Sequence, residues 1–389
     1  MQRHRCRAAY AIIALLTMAG CTASPSTTAT EPTPVAPSTS DAGSSSPTNP
    51  ATGHYGSQLI QLDSALPSRR VARVIVDPDG ERFVVRGVVA AYGVFYGDDP
   101  ADPSGYVDVN RDNLKSDLSA IAARGFNLVR YFVTTDQEPY GGSAAYLAQL
   151  DRAVNAARTR GLVVEISNAE DTAPFGRSLA WVASLADRYG DDPGVWLQPS
   201  NEPNCRAPER HCSNVGLWYH EQQALIDAIR RTGFANPIVI NGIHYSQDFS
   251  FLTKRRLLDP AHNLILGAHA YGDNCVDFLT DRCGDSAPFG QVAAARAGWA
   301  DLVTDYPVIV DEVGADNGPG RLNSPAWAHE FLAWSATWVR EDGGSGLIAF
   351  NWRWPNANTL TGGVNQLSDT TTLSPWGRLV LDRFVRPTL

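Results

Sequence analysis

The chain has 389 residues, a formal net charge of −9 and 43% hydrophobic residues, which is enough apolar material for one large globular domain. The acidic balance argues against a basic stripe for nucleic acid and against a polybasic membrane patch. It is compatible with a neutral ligand.

The N-terminus predicts an export signal. Three arginines among the first seven residues precede an apolar run over residues 8–18 that is too short for a permanent membrane helix. Met18-Ala-Gly-Cys21 resembles a bacterial lipobox, so we expect residues 1–20 to be removed and Cys21 to be lipidated. The expected location is the outer face of the cell membrane, with the lipid as the sole membrane contact; free secretion is the alternative.

Residues 22–55 are rich in Ser, Thr, Pro, Ala and Gly, and they carry too little apolar surface to offset the entropy of ordering them. We expect a flexible linker there, followed by a single catalytic domain over residues 56–389.

Four cysteines of that domain fall in two close pairs, Cys205 with Cys212 and Cys275 with Cys283. In an exported protein this spacing predicts two local disulfides. A zinc site formed by these cysteines and His211 is the alternative, although neither pair has the short spacing of a zinc knuckle.

Within the domain, Val71–Tyr92 predicts a hairpin with a turn at Asp77–Gly80, leading into a buried strand. Helix and strand patterns then alternate. Predicted helices cover 110–124, 143–160, 177–189, 214–232, 291–303, 324–340 and 375–384, and predicted strands begin near Val84, Leu128, Val163, Val195, Ile238, Leu264, Val308 and Leu347. Eight strands separated by helices predict a (β/α)₈ TIM barrel of the α/β class. A doubly wound open sheet is less compatible, because no Gly-rich phosphate loop follows the first strand.

Reactive side chains of such a barrel lie where the strands end at their carboxyl termini. The polar and aromatic residues at those ends are Arg130, Asn168, Asn201, Glu202, His269, Tyr271, Glu312 and Trp352. Glu202 follows the fourth strand and Glu312 the seventh, so two carboxylates meet at one barrel mouth. Paired carboxyl groups, one protonated and one ionised, are the requirement of glycoside hydrolysis. A separation of roughly 5–5.5 Å predicts a retaining mechanism.

The ordered motifs resemble glycoside hydrolase family 5, the cellulase family of clan A. They are Arg86-Gly87-Val88, Gly125-Phe-Asn-Leu-Val-Arg130, Asn201-Glu202-Pro203, His269-Ala-Tyr271, Glu312-Val-Gly314 and Trp352, spread over about residues 71–385. The resemblance implies that Glu202 is the acid/base and that Glu312 is the nucleophile. It also implies that Asn201 binds the sugar 2-hydroxyl, and that Arg130 and Tyr271 hold the Glu312 carboxylate.

By the same resemblance, His269 lines the subsite and Trp352 stacks on a sugar ring. The chain departs from the family after the third strand, where Asn168 stands in place of a usual His. Asn168, Glu170 or Asp171 could contact the sugar or cap the following helix. This departure leaves the subfamily and the sugar undecided.

We therefore expect a monomeric hydrolase of a β-linked oligo- or polysaccharide, cellulase-like or β-mannanase-like, that requires no metal or organic cofactor. Transglycosylation through the same intermediate is a variant of that reaction. A carbohydrate-binding pseudoenzyme tethered at the cell surface is the second class, although binding alone does not require a paired acid and nucleophile.

Overall fold

A computed structural model describes residues 53–62, 71–91, 114–133, 144–168, 175–203, 215–271, 299–314, 325–352 and 373–388. The predicted signal, Cys21, most of the linker and all four paired cysteines lie outside these residues. No helix within these ranges is long and apolar enough to cross a membrane.

The architecture is a closed barrel of eight parallel strands surrounded by helices, as the sequence predicted. The barrel order is β10-β3-β4-β5-β6-β7-β8-β9. The strands are β1 (Gly56–Gln61), β2 (Val71–Val76), β3 (Val85–Ala91), β4 (Leu128–Val133), β5 (Val163–Asn168), β6 (Val195–Gln198), β7 (Ile238–Asn241), β8 (Leu264–Tyr271), β9 (Val308–Gly314) and β10 (Gly346–Ala349). Each barrel strand occurs within about two residues of its predicted start.

The helices are α1 (Leu114–Ala123), α2 (Ala144–Arg158), α3 (Phe175–Tyr189), α4 (Val215–Arg231), α5 (Ile243–Ser246), α6 (Pro325–Glu341) and α7 (Pro375–Val380). A π-helical turn, Leu381–Val385, extends α7, and short 3₁₀ helices occupy Ser250–Thr253, Ala300–Thr304 and Arg386–Thr388. The sequence did not predict the short α5 or the 3₁₀ helices Ser250–Thr253 and Arg386–Thr388.

The predicted hairpin over Val71–Tyr92 is only partly correct. The turn forms, because the Asp77 carboxylate accepts hydrogen bonds from the backbone N–H groups of Asp79 (3.0 Å) and Glu81 (2.9 Å). Beyond it, however, Val76 and Arg82 form only an isolated bridge. Strand β2 pairs instead with β1, which the sequence analysis missed, while β3 enters the barrel. The pattern of β1 is too weakly apolar to have indicated a strand.

The β1–β2 ribbon lies at the end of the barrel where the strands begin. Tyr55 packs edge-to-face on Phe83 (ring centroids 5.0 Å apart) and on Trp196 (5.5 Å) at the start of β6. Asn263, just before β8, donates a side-chain hydrogen bond to the Tyr55 carbonyl at 2.8 Å. Tyr55, Phe83 and Trp196 therefore form an aromatic plug beneath the barrel, opposite the carboxyl ends of its strands.

The apolar core has two layers. An outer cluster fills the space between the barrel and its helices, and a smaller inner cluster lies within the barrel, formed by residues such as Val85, Leu128, Val163 and Ile309. Alternate side chains of a strand face opposite sides. The same parity that brings Leu128 and Val163 inside therefore also brings in Arg130, Glu165 and other polar side chains nearer the mouth.

Candidate active site

Arg130 is the centre of the polar layer above the inner core. It is completely buried, and its Nη1 donates to Glu312 Oε2 at 3.1 Å and to the Asp311 carbonyl at 2.8 Å. Its Nη2 donates to Ser167 at 3.1 Å and closely contacts the side-chain oxygens of Gln198 and Asn201. A planar guanidinium is suited to such a role because its donors form a rigid fork. Arg130 therefore connects side chains from four strands or strand ends.

Glu202 and Glu312 reach the same mouth from β6 and β9. His269, on β8, joins them: its Nδ1 lies 2.8 Å from Glu202 Oε1 and its Nε2 lies 3.8 Å from Glu312 Oε2. One side-chain ligand atom from each of these three residues lies within 4.8 Å of those of the other two. The Glu202 side chain is 20% exposed, whereas that of Glu312 is 8% exposed. One carboxylate is thus accessible from the cleft and the other is enclosed.

A β-bulge places two consecutive acids of β9 beside this cluster. Ala268 pairs with Val310 and His269 pairs with Glu312, so Asp311 is the extra residue of β9. Bulges of this kind redirect side chains and are frequent beside active sites. Asp311 is completely buried, and a side chain at Gly267 would bring its Cβ within 2.3 Å of Asp311 Oδ2. The absence of a side chain at residue 267 therefore makes room for the Asp311 carboxylate.

The sequence analysis missed several members of this polar layer. Glu165 and Ser167 of β5, Gln198 of β6, Asn241 of β7 and Asp311 of β9 are all buried. A charged side chain within an apolar strand run is costly to bury unless it is paired. Glu165 and Asp311 carry this signal in the sequence, since each stands among apolar strand residues.

Glu165 is the least compensated acid of the layer. Its Oε1 lies 3.0 Å from Arg130 Nε, yet neither of its oxygens has a hydrogen bond within the described part of the chain. Burial raises the pKa of Glu165 to about 8, because the opposing attraction of Arg130 is insufficient and the charges of Asp311 and Glu312 raise it further. One guanidinium faces three carboxylates, which favours the protonated form of Glu165.

His269 has the opposite balance. Burial alone lowers its pKa, but the negative charges of Glu312 and Asp311 and the hydrogen bond with Glu202 outweigh burial and raise the pKa to about 9. Glu202, His269 and Glu312 are of residue types that can ligate metals. Their arrangement is already explained by charge pairing, with His269 Nδ1 engaged by Glu202, and we assign no ion to them.

Asn201 and Asn168 have different positions. Asn201 is partly exposed, and its side-chain oxygen accepts from Arg130. Asn168 is buried; its Nδ2 donates to the Pro199 carbonyl at 3.1 Å and its own carbonyl accepts from Asn201 N–H at 3.0 Å. It neither faces the barrel interior nor caps α3, which begins at Phe175. The interior-facing residue at the end of β5 is Ser167.

The predicted stacking role of Trp352 is wrong. Its side chain is completely buried in the outer cluster, with its ring 6.3 Å from that of Phe126 and 5.5 Å from the Arg124 guanidinium carbon. It therefore presents no face to a sugar. Phe350, which is partly exposed and packs against the inner cluster, is the aromatic residue that follows β10 on the cleft side.

Other predicted residues lie outside what the structure describes. Tyr271 ends β8, but its side chain is not among the described groups, and the same is true of Glu170, Asp171 and the cysteine pairs. Asn201, Glu202 and Pro203 have an irregular backbone in the described part of the chain.

The chain is similar to curated proteins of known name. Endoglucanase N of Pectobacterium atrosepticum is 24% identical over 306 residues, covering 69% of this chain and 63% of that protein. Endoglucanase 5 of Pectobacterium carotovorum subsp. carotovorum is also 24% identical over 306 residues, which cover 69% of this chain and 55% of that protein. The chain thus spans less than two thirds of the length of either relative.

Two solved structures share the fold. A β-glucanase from Saccharophagus degradans in complex with cellotetraose superposes with a TM-score of 0.64 at 15% identity, covering 86% of this chain and 94% of that one. An endocellulase from the archaeon Pyrococcus horikoshii superposes with a TM-score of 0.63 at 15% identity, and the match covers 86% of this chain and 99% of that one. The model of the cellulase family matches residues 76–358, which is well over half of the sequence. The chain therefore belongs to the cellulase family, glycosyl hydrolase family 5.

Proposed function

We propose that this protein is a retaining endo-β-1,4-glucanase in which Glu202 is the acid/base and Glu312 the nucleophile. The observation that carries the proposal is the approach of carboxylate oxygens of Glu202 and Glu312 to within 4.8 Å across the barrel mouth. Retaining glycosidases hold their carboxyl groups about 5–5.5 Å apart, whereas inverting enzymes need roughly 6.5–9.5 Å to accommodate a water molecule. The short separation favours direct attack by Glu312.

In the first step, a Glu312 oxygen bonds to the anomeric carbon while the bond to the leaving oxygen breaks and Glu202 gives that oxygen a proton. In the second step, Glu202 takes a proton from water, the water oxygen bonds to the anomeric carbon, and the ester to Glu312 breaks. Arg130 supports this role by holding Glu312 Oε2 at 3.1 Å in a fixed direction. The exposed edge of Glu202 suits a group that must reach the leaving oxygen.

The choice of a β-1,4-glucan rests on the relatives. Two are named endoglucanases, and one structure with the same fold contains cellotetraose. A third relative, β-mannanase/endoglucanase A of Caldicellulosiruptor saccharolyticus, is 25% identical over 177 residues and carries both activities in its name. Mannan therefore belongs in any substrate panel.

The first experiment measures reducing-sugar release and viscosity loss on soluble cellulose, mixed-linkage β-glucan, mannan and xylan. Glu312→Gln should lower turnover by at least about a thousandfold, whereas the matched control Asp382→Asn, an exposed acid paired with Arg386, should leave it unchanged. Rapid viscosity loss relative to sugar release would identify endo action. Binding without cleavage of any glycan would favour the pseudoenzyme, and oligosaccharide lengthening would favour transglycosylation.

A second experiment addresses stereochemistry. A 2-deoxy-2-fluoro cello-oligosaccharide with a good leaving group should form a stable ester, and peptide mass spectrometry should locate it on Glu312. Azide should restore the activity of Glu202→Ala on activated glycosides and give a β-glycosyl azide, because the azide attacks the glycosyl ester in place of activated water. Initial formation of the α-anomer from a natural β-linked substrate would refute the retaining mechanism.

We also propose that the protein is exported and lipidated at Cys21. The supporting observation is the order of basic, apolar and small residues before that cysteine. Metabolic labelling with a fatty acid should mark the wild-type protein in the membrane fraction but not Cys21→Ser. Labelling of both proteins, or of neither, would contradict lipidation at Cys21.

A further inference from the structure

Asp311 is a buried acid that the proposed two-carboxylate reaction does not use. Its Oδ2 accepts hydrogen bonds from Gln198 Nε2 and from Asn241 Nδ2, the latter at 3.1 Å. Its Oδ1 faces His269 Nε2 at 3.4 Å, and Arg130 Nη2 lies 4.0 Å from its Oδ2. Two amide donors thus fix one oxygen while the other is directed at the imidazole. The bulge in β9 and the absent side chain at Gly267 both serve to admit this carboxylate.

His269 lies between two sets of acids. Its Nδ1 contacts Glu202, and its Nε2 faces Asp311 at 3.4 Å and Glu312 at 3.8 Å. Asn241 Nδ2 lies 3.1 Å from the same Nε2. When Nε2 is unprotonated it can accept from Asn241, and when it is protonated its N–H can turn to Asp311 Oδ1. Asp311 is the nearer of the two acids that face Nε2.

From these contacts we propose that Asp311 is a positioning residue that stabilises the doubly protonated form of His269 beside the acid/base Glu202. The proposal rests on the function proposed above. A protonated His269 gives Glu202 a fixed N–H donor and a neighbouring positive charge, which stabilises the Glu202 carboxylate during the second step. Asp311 is completely buried among the described residues, so it acts on the reaction through His269 rather than by touching the sugar.

The charge balance of the site supports this assignment. The charged groups facing His269 and Asp311 are Arg130 from β4, Glu165 from β5, Glu202 after β6, and Glu312 from β9. The buried side chains of Arg130 and His269 face the carboxylates of Asp311 and Glu312 in the barrel, and Glu202 contacts His269 from the cleft side. Burial lowers the pKa of His269, but the charges of Glu312, Asp311 and Glu202 together raise it to about 9. Removal of Asp311 would leave the imidazole with a buried charge and one fewer anion to balance it.

The test is an NMR titration of isotope-labelled histidine in the full-length protein, with the His269 signal identified by its loss in His269→Gln. In the wild type, both ring nitrogens of His269 should remain protonated at pH 7. In Asp311→Asn the midpoint should fall by about 1–3 pH units, the range for loss of a nearby opposite charge. A neutral His269 at pH 7 in the wild type would overturn the proposal even if the variant did not fold, and so would an unchanged midpoint in a folded variant.

Activity provides a second readout. In Asp311→Asn the limb of the pH–kcat profile that follows the His269 proton should move to lower pH, because His269 loses its proton earlier. A purely structural role for Asp311 would lower activity at every pH without moving this limb, and that result would overturn the proposal. If the wild type cleaved none of the glycans, the proposed hydrolase function would fail, whereas the titration would still decide the role of Asp311.

Discussion

Glu165→Gln should make the protein more stable at neutral and alkaline pH. The folded protein holds a proton on Glu165 that the unfolded chain releases, because the pKa rises from 4.5 in a model carboxyl to about 8 in the barrel. Between these values the unfolded state binds fewer protons, so stability must fall as pH rises. Each pKa unit corresponds to about 1.4 kcal/mol, and the shift therefore amounts to roughly 3–5 kcal/mol when complete. Glutamine mimics the protonated acid and should abolish this loss.

The assay is urea unfolding of the wild type and of Glu165→Gln at intervals from pH 5 to pH 9. The two proteins should have similar stability near pH 5, and the variant should gain progressively up to about pH 8. Other titrating groups are common to both proteins, so the difference between the curves isolates Glu165 to first order. A variant that is less stable than the wild type at pH 8 would refute the reasoning. That outcome would mean that Glu165 is an ionised partner that Arg130 fully compensates.

Three further predictions concern single contacts. Gly267→Ala should cost about 1–3 kcal/mol in chemical denaturation, since its Cβ would meet Asp311 Oδ2 at 2.3 Å and Val239 at 2.8 Å; unchanged stability would show that the bulge relaxes freely. Trp352→Phe should lower the melting temperature and leave KM unchanged, whereas Phe350→Ala should raise KM; the reverse pattern would restore Trp352 to the cleft. Arg130→Lys should lower kcat by about a hundredfold or more, because an ammonium cannot reproduce the fork that orients Glu312; near-normal kcat would contradict that role.

The barrel could be predicted from sequence because buried parallel strands are almost continuous apolar runs. The placement of Glu202 and Glu312 at one barrel mouth could be predicted because each follows an apolar run in the sequence. The polar layer was harder to recognise, since Glu165 and Asp311 lie within strands, and their partners depend on strand register. Asp311 also depends on a bulge, which breaks the alternation on which a sequence argument relies.

The direction of the Trp352 side chain could not be predicted from the sequence. Strand β10 ends at Ala349, so side-chain parity no longer applies three residues later, and the ring turns to the outer layer. Asn168 is one residue beyond Ser167, which has the inward parity at the end of β5. Locating a strand by its apolar pattern therefore does not decide which of its last two residues reaches the cleft.

The aromatic plug beneath the barrel also determines how the enzyme is presented to its surroundings. The contacts of Tyr55 with Trp196 and Asn263 hold the start of the described chain at the closed end of the barrel. A solid support joined to the start of this segment would therefore be attached at the end of the barrel opposite Glu202 and Glu312. A long polymer could then approach the catalytic cleft without passing the point of attachment.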